Sequence, residues 1–222
     1  MIRIVCFISL VVAVASAATG DQYWIAYEGN DFPENEGSER YATDPPAQRW
    51  LEDGSLFIDS RGEGHIVDNY TVYFEDGGVD PGPGETFVMR WRLNVHEATL
   101  WDDPGVYVNS DDLYSVAFLF GEDYLFSVYE PDVYIQLEPG VFHGFELRSG
   151  DMRSYRLYVD GGLAVEGVFF EGLFSPRVGW GDITGAGSLA QWDYFRFGVI
   201  PEPSACVIAL AGLSCLCKSK RG

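Results

Sequence analysis

Apolar and polar side chains alternate in short runs through the middle of the chain. Phe87, Met89, Trp91, Leu93 and Val95 interleave with Val88, Arg90, Arg92 and Asn94. A period of two places one set against a core and the other toward water, which predicts a half-buried strand. Tyr155, Leu157 and Val159 alternate in the same way with Arg156, Tyr158 and Asp160, and Gly161-Gly162 then leads into 163–169. A two-residue turn requires positive φ, which glycine reaches freely, so a hairpin is predicted there. Further strands are predicted at 56–59, 70–74, 114–120, 124–129, 142–148, 177–180 and 190–199. Turn clusters separate them, among them Asp76-Gly77-Gly78, Asp80-Pro81-Gly82-Pro83-Gly84 and Glu138-Pro139-Gly140. No amphipathic helix pattern and no fixed-period repeat interrupts this series. The expected fold class is all-β, about ten short strands in an antiparallel sandwich or jelly roll built as one domain over 18–199.

The two ends have a different pattern. Residues 1–17 read as a secretory signal peptide: Arg3 supplies the positive region, 4–14 the apolar helix, and Ala15-Ser16-Ala17 a small-residue cleavage site. A core helix or a membrane anchor is the weaker reading, because the run is short for a span. At the other end, Pro201-Glu202-Pro203-Ser204 precedes an apolar stretch at 205–217 and then Lys218-Ser219-Lys220-Arg221. Paired prolines stop the preceding strand. The apolar stretch is short of the about 20 residues of a spanning helix, a deficit that lysine snorkelling partly offsets. Terminal positive charge favours a cytoplasmic end. Residues 200–222 resemble the PEP-CTERM sorting signal of Gram-negative and related bacteria. That resemblance implies Pro201, Glu202 and Pro203 as the sorting motif, a transmembrane segment, an exosortase-type membrane processing enzyme as partner, and association with exopolysaccharide and the cell envelope. The expected location is export, residence in the inner membrane through this tail, then the cell surface or the medium.

Charge narrows the partners. The 222 residues carry 14 basic and 34 acidic side chains. Setting aside 1–17 and 201–222 takes away four of the basic residues and one of the acidic, leaving ten arginines, no lysine and 33 acids, a net charge of −23. Such a surface repels polyanions, so nucleic acid, anionic lipid and acidic polymers are poor partners, while cations, neutral glycans and basic proteins remain open. All four cysteines (Cys6, Cys206, Cys215, Cys217) lie in the flanks. The middle thus has no disulfide, thiolate metal site or cysteine nucleophile, and its stability must come from packing.

Three segments carry a second resemblance: Tyr27-Glu28-Gly29-Asn30-Asp31-Phe32-Pro33, residues 154–162, and Trp180-Gly181-Asp182 followed by Gln191-Trp192-Asp193-Tyr194-Phe195-Arg196-Phe197. They look like the opening and closing strands of concanavalin A-like lectin/glucanase or laminin-G-like domains. The resemblance implies two stacked, curved sheets, a concave face that often binds glycans, and sometimes calcium.

Candidate sites follow from these patterns. A glucanase of this kind carries Glu-x-Asp-x-x-Glu on one strand, with two carboxylates about 5 to 5.5 Å apart for retaining chemistry; the chain contains no such triplet. Glu28 with Asp31, Asp111 with Asp112 and Glu122 with Asp123 read as solvated loop acids. His65, His96 and His143 are too scattered for metal-ligand spacing. Oxygen ligands in glycine-rich loops suit calcium, which makes Asp76 with Asp80, Asp102 with Asp103, and Asp182 with Asp193 its candidates against ordinary Asx turns. Trp50 and Trp101, beside polar turns, are the candidate glycan platforms, whereas Trp91 shares a face with core residues. Asn69-Tyr70-Thr71 matches a glycosylation sequon by chance in a chain with a bacterial tail.

The expectation is therefore a non-catalytic, envelope-sorted β-sandwich, adhesive or matrix-associated, that binds a neutral glycan or exopolysaccharide weakly and has no catalytic residue. A glycoside hydrolase or lyase of the same fold is the alternative. A purely structural surface protein is the other.

Overall fold

The computed structural model describes residues 25–62, 66–74, 79–99, 104–172 and 174–201. Sixteen strands follow one another: β1 (Ile25–Tyr27), β2 (Glu39–Ala42), β3 (Gln48–Glu52), β4 (Ser55–Asp59), β5 (Asp68–Tyr73) and β6 (Glu85–Ala98). Then come β7 (Gly105–Asn109), β8 (Tyr114–Phe120), β9 (Tyr124–Ser127), β10 (Tyr134–Gln136) and β11 (His143–Ser149). The last are β12 (Ser154–Val159), β13 (Gly162–Val168), β14 (Phe170–Glu171), β15 (Arg177–Asp182) and β16 (Ser188–Pro201). A short 3-10 helix at Pro33–Glu36 starts on a proline and ends on Gly37, whose φ of 96° favours glycine.

Two antiparallel sheets form a sandwich. The first has the order β13-β12-β11-β6-β16-β4-β3, with β1 also on β16; the second has the order β10-β9-β8-β7-β15-β5-β2, with β14 on β8. Alternation decides which side chains go between them. Phe87, Met89, Trp91, Leu93 and Val95 of β6 point inward, as their spacing predicts. The two sheets meet through aromatic pairs: Trp91 of β6 and Phe120 at 6.3 Å, Tyr155 of β12 and Phe118 at 5.6 Å, Phe195 of β16 and Trp180 at 5.3 Å. Such edge and offset contacts add to the burial of large rings in a domain without disulfides.

β16 contains a bulge. Its register against β6 shifts between Trp192 and Tyr194, so Asp193 is the extra residue. Trp192 and Phe195 thereby both face the core, although a regular strand would send one of them outward.

The hairpin predicted at Gly161-Gly162 turns one residue earlier. Val159 pairs with Gly162, and the two turn residues are Asp160 and Gly161, with φ of 50° and 80°. Positive φ at both central positions is the turn whose twist matches its strands, and Asp-Gly serves it well.

One expectation is corrected. Among the described residues no helix is long and apolar enough to cross a membrane. This overturns the expected placement in the inner membrane and then at the surface, which depended on a terminal spanning helix. The segment 1–17, expected as a signal peptide, and the tail from Glu202 onward lie outside the described residues. Pro201 closes β16 opposite Glu85, at a strand end, where a missing N–H is tolerated.

Candidate functional site

Three rows of side chains cross the outer face of the second sheet. The register places Tyr73, Arg177, Asn109 and Ser115 in one row, Thr71, Gly179, Tyr107 and Ala117 in the next, and Asn69, Gly181, Gly105 and Leu119 in the third. Each belongs to the outward set of its strand; the inward set includes Tyr70, Val72, Val178 and Trp180. A groove of about 500 Å³ lies over these rows, and Tyr41, Tyr129, Phe174, Ile183 and Thr184 complete its walls.

Small residues make the room. A Cβ on Gly179 would sit 2.3 Å from Cζ of Tyr107, so the phenol ring fills the space that glycine leaves. The Tyr107 and Thr71 hydroxyls share a hydrogen bond of 2.8 Å, which fixes that ring. Burial pushes the Tyr107 phenol above its ordinary range, against the opposing effects of Thr71 and Arg177. Ser115 Oγ donates to Asn109 Oδ1 at 2.7 Å, and Asn109 Nδ2 donates to the carbonyl of Ser175 at 3.3 Å. The Arg177 guanidinium lies between two rings, 5.2 Å from the centroid of Tyr107 and 5.9 Å from that of Tyr73.

The groove is apolar on its walls and hydrogen-bonding on its floor, and among the described residues no aspartate, glutamate or histidine lines it. Acid and base hydrolysis of a glycosidic bond uses two carboxyl groups about 5 to 9.5 Å apart. This surface offers stacking faces and neutral donors instead.

The outer face of the first sheet is built differently. Arg90 and Arg148 both hydrogen-bond Glu146, Arg92 meets Asp193 at 2.6 Å, Arg156 meets Glu166 at 2.8 Å, and Arg196 forks onto Glu28. With Arg40 on Asp68, Arg49 on Glu34 and Arg61 on Asp59 and Glu97, most of the arginines are neutralised by a carboxylate. The Glu28 expected as a solvated acid is thus held by Arg196.

The sequence-based candidates fall elsewhere. Trp50 is on edge strand β3, not in a loop, and faces out from the first sheet. Its ring stacks on Phe57 at 4.9 Å, and Phe57 stacks on His96 at 5.9 Å, while Trp50 Nε1 donates to Glu52. Trp101, Asp76, Asp102, Asp103, His65, Glu202 and Pro203 lie outside the described residues. Asp80 accepts the Asp111 N–H at 3.1 Å, and burial pushes its carboxyl above the usual range. Asp182 is fully buried and accepts from Gly185 N–H, whereas Asp193 is on the outer face with Arg92. Asp182 and Asp193 thus lie apart, and among the described residues no three His, Cys, Asp or Glu side chains form a metal-binding group. His143 binds Asp160 at 2.7 Å.

No protein-family model matches the chain, and no curated protein matches it in sequence. Solved structures match it in shape. The binding domain of botulinum neurotoxin DC in complex with SialylT superposes with a TM-score of 0.52 at 11% identity, over 82% of this chain and 48% of that one. The β-glucanase of Bacillus licheniformis gives 0.50 at 10% identity, over 81% and 99%. Cellulose induced protein Cip1 gives 0.50 at 13% identity, over 79% and 96%. The fold is the jelly roll of lectins and glucanases. The chain spans about half the length of the toxin domain and nearly all of the glucanase.

Proposed function

We propose that this jelly roll is a glycan-binding module, that the groove on the second sheet is its site, and that it does not turn its ligand over. One observation carries the reading. Tyr41, Tyr73, Tyr107, Tyr129 and Phe174 present rings over a floor of Asn69, Thr71 and Asn109, with no lining carboxylate among the described residues. Flat faces pack against sugar rings while amides and hydroxyls read their hydroxyl groups. The names of the similar folds, a toxin binding domain complexed with SialylT, a β-glucanase and a cellulose induced protein, agree with a glycan ligand. Trp50 on the opposite face is a second stacking surface in this proposal.

Retention of the full-length chain on a glycan array, lost in Tyr107→Ala, is the expected result. Retention on no glycan defeats the proposal. The alternative, a hydrolase or lyase of the same fold, requires release of reducing ends from a β-glucan, abolished by Glu28→Gln; no turnover is expected.

The reading of Pro201, Glu202 and Pro203 as the motif of an exosortase-type processing enzyme belongs here as well, supported by the sequence of residues 200–222. An intact mass ending near Pro201 supports it, and a mature product ending at Gly222 opposes it.

A further inference from the structure

Among the described residues two arginines, Arg153 and Arg177, meet no carboxylate, and of the two Arg153 is exposed whereas Arg177 is partly buried. The Arg177 guanidinium has no hydrogen-bond partner among the described residues, and its Nε is buried and unpaired. Its neighbours across the sheet are Tyr73 and Asn109, both uncharged. In a chain with 34 acidic residues against 14 basic ones, a counter-charge is the easiest side chain to place. Leaving a partly buried guanidinium without one costs free energy. A ligand can recover that cost. The planar fork of an arginine fits a carboxylate in two parallel hydrogen bonds, and stacking between two phenol rings holds it ready for them.

We infer that the groove recognises a glycan bearing a single sugar carboxylate, received by Arg177. The inference rests on the glycan reading of the groove. A single charge is specified by the rest of the molecule. At physiological salt a charge is screened over about 8 Å, so one carboxylate in contact with Arg177 is governed by Arg177. A polyuronate would lay its further charges over an acidic surface and be repelled. The aromatic walls and the Thr71, Tyr107 and Asn109 side chains beside the arginine suit a sugar ring attached to that carboxylate.

The test uses the full-length chain on an array of neutral oligosaccharides and the same oligosaccharides capped with one glucuronic, galacturonic or sialic acid, followed by calorimetry. The best acidic ligand is titrated intact and after reduction of its carboxyl to the alcohol. Reduction is expected to weaken binding about tenfold or more, the scale of one hydrogen-bonded charge, and Arg177→Gln to bind both forms equally and weakly. The intact and reduced pair on the unaltered protein answers the question even if the variant folds poorly. Equal binding of neutral and acidic ligands, or an Arg177→Gln protein that still prefers the acid, overturns the inference and leaves the glycan reading standing. Retention of no ligand removes both.

Discussion

The phenol of Tyr107 occupies the side-chain space of Gly179 on the neighbouring strand: a Cβ there would lie 2.3 Å from Tyr107 Cζ and 2.4 Å from its hydroxyl. Pairing of β15 with β7 forces the two residues side by side, so the ring and a Cβ cannot share the position. Gly179→Ala should expel Tyr107 from its seat between Thr71 and Arg177. Overpacking of this kind costs about 1–3 kcal/mol. A lowered urea midpoint together with loss of glycan retention is the expected outcome; an unchanged midpoint with unchanged retention would mean that the ring has room elsewhere.

The hydroxyl pair that anchors the same ring gives a smaller and separable effect. Thr71 is almost fully buried, and the valine isostere keeps its shape while deleting the 2.8 Å bond to Tyr107. The buried phenol then loses its partner, at a cost of roughly 1–3 kcal/mol. Thr71→Val should therefore destabilise the protein without changing its fold, and Tyr107→Phe combined with it should add little. A double-mutant cycle by denaturant unfolding checks this: additive losses would show that the two hydroxyls are not coupled.

The groove was hard to see in the sequence because its residues become neighbours only through non-local pairing. Asn69 and Thr71 read as a chance sequon; β5 makes them adjacent outward positions. Arg177 opens a correctly expected strand, but its place between Tyr73 and Tyr107 depends on β5, β15 and β7 lying side by side, which no local pattern reveals. β2 carries no alternation signal for a physical reason: one of its two inward positions is Arg40, which hydrogen-bonds the fully buried Asp68, so a charge stands where alternation predicts an apolar residue. β6 was legible because every second residue from Phe87 to Val95 enters one core. Trp50 was expected at a turn, and its position on β3 follows from pairing with Phe57 on β4.

Acid should weaken the outer face of the first sheet. Burial on its own would raise the Glu146 carboxyl, but hydrogen bonds from Arg148 and Arg90 outweigh it and hold the group below the usual carboxylate range. A carboxylate depressed in the folded state contributes stability above its unfolded value of about 4.3, and that contribution disappears as pH falls through the lower folded value. Thermal unfolding of Glu146→Gln should thus show a deficit on the order of 1 kcal/mol near neutral pH, the scale of a partly exposed ion pair. The two proteins should converge as pH falls through the depressed folded value, once both carry a neutral side chain there. A deficit that is constant with pH would assign the effect to packing.

Two aromatic residues on adjacent strands should separate recognition from stability. Tyr73 is 51% exposed and its ring faces Arg177 at the groove, whereas Trp180 is 2% exposed and packs against Tyr27, Tyr70, Trp192 and Phe195. Truncating the buried indole opens a cavity and costs about 3–5 kcal/mol, enough to threaten folding altogether. Truncating the exposed phenol removes a stacking face and one side of the guanidinium clamp, with stability changed by less than about 0.5 kcal/mol. Tyr73→Ala should keep the melting temperature of the unaltered chain and lose glycan retention, while Trp180→Ala should lose both. Full retention by a stable Tyr73→Ala protein would move the binding surface off the second sheet, toward the stacked Trp50 and Phe57 on the other face.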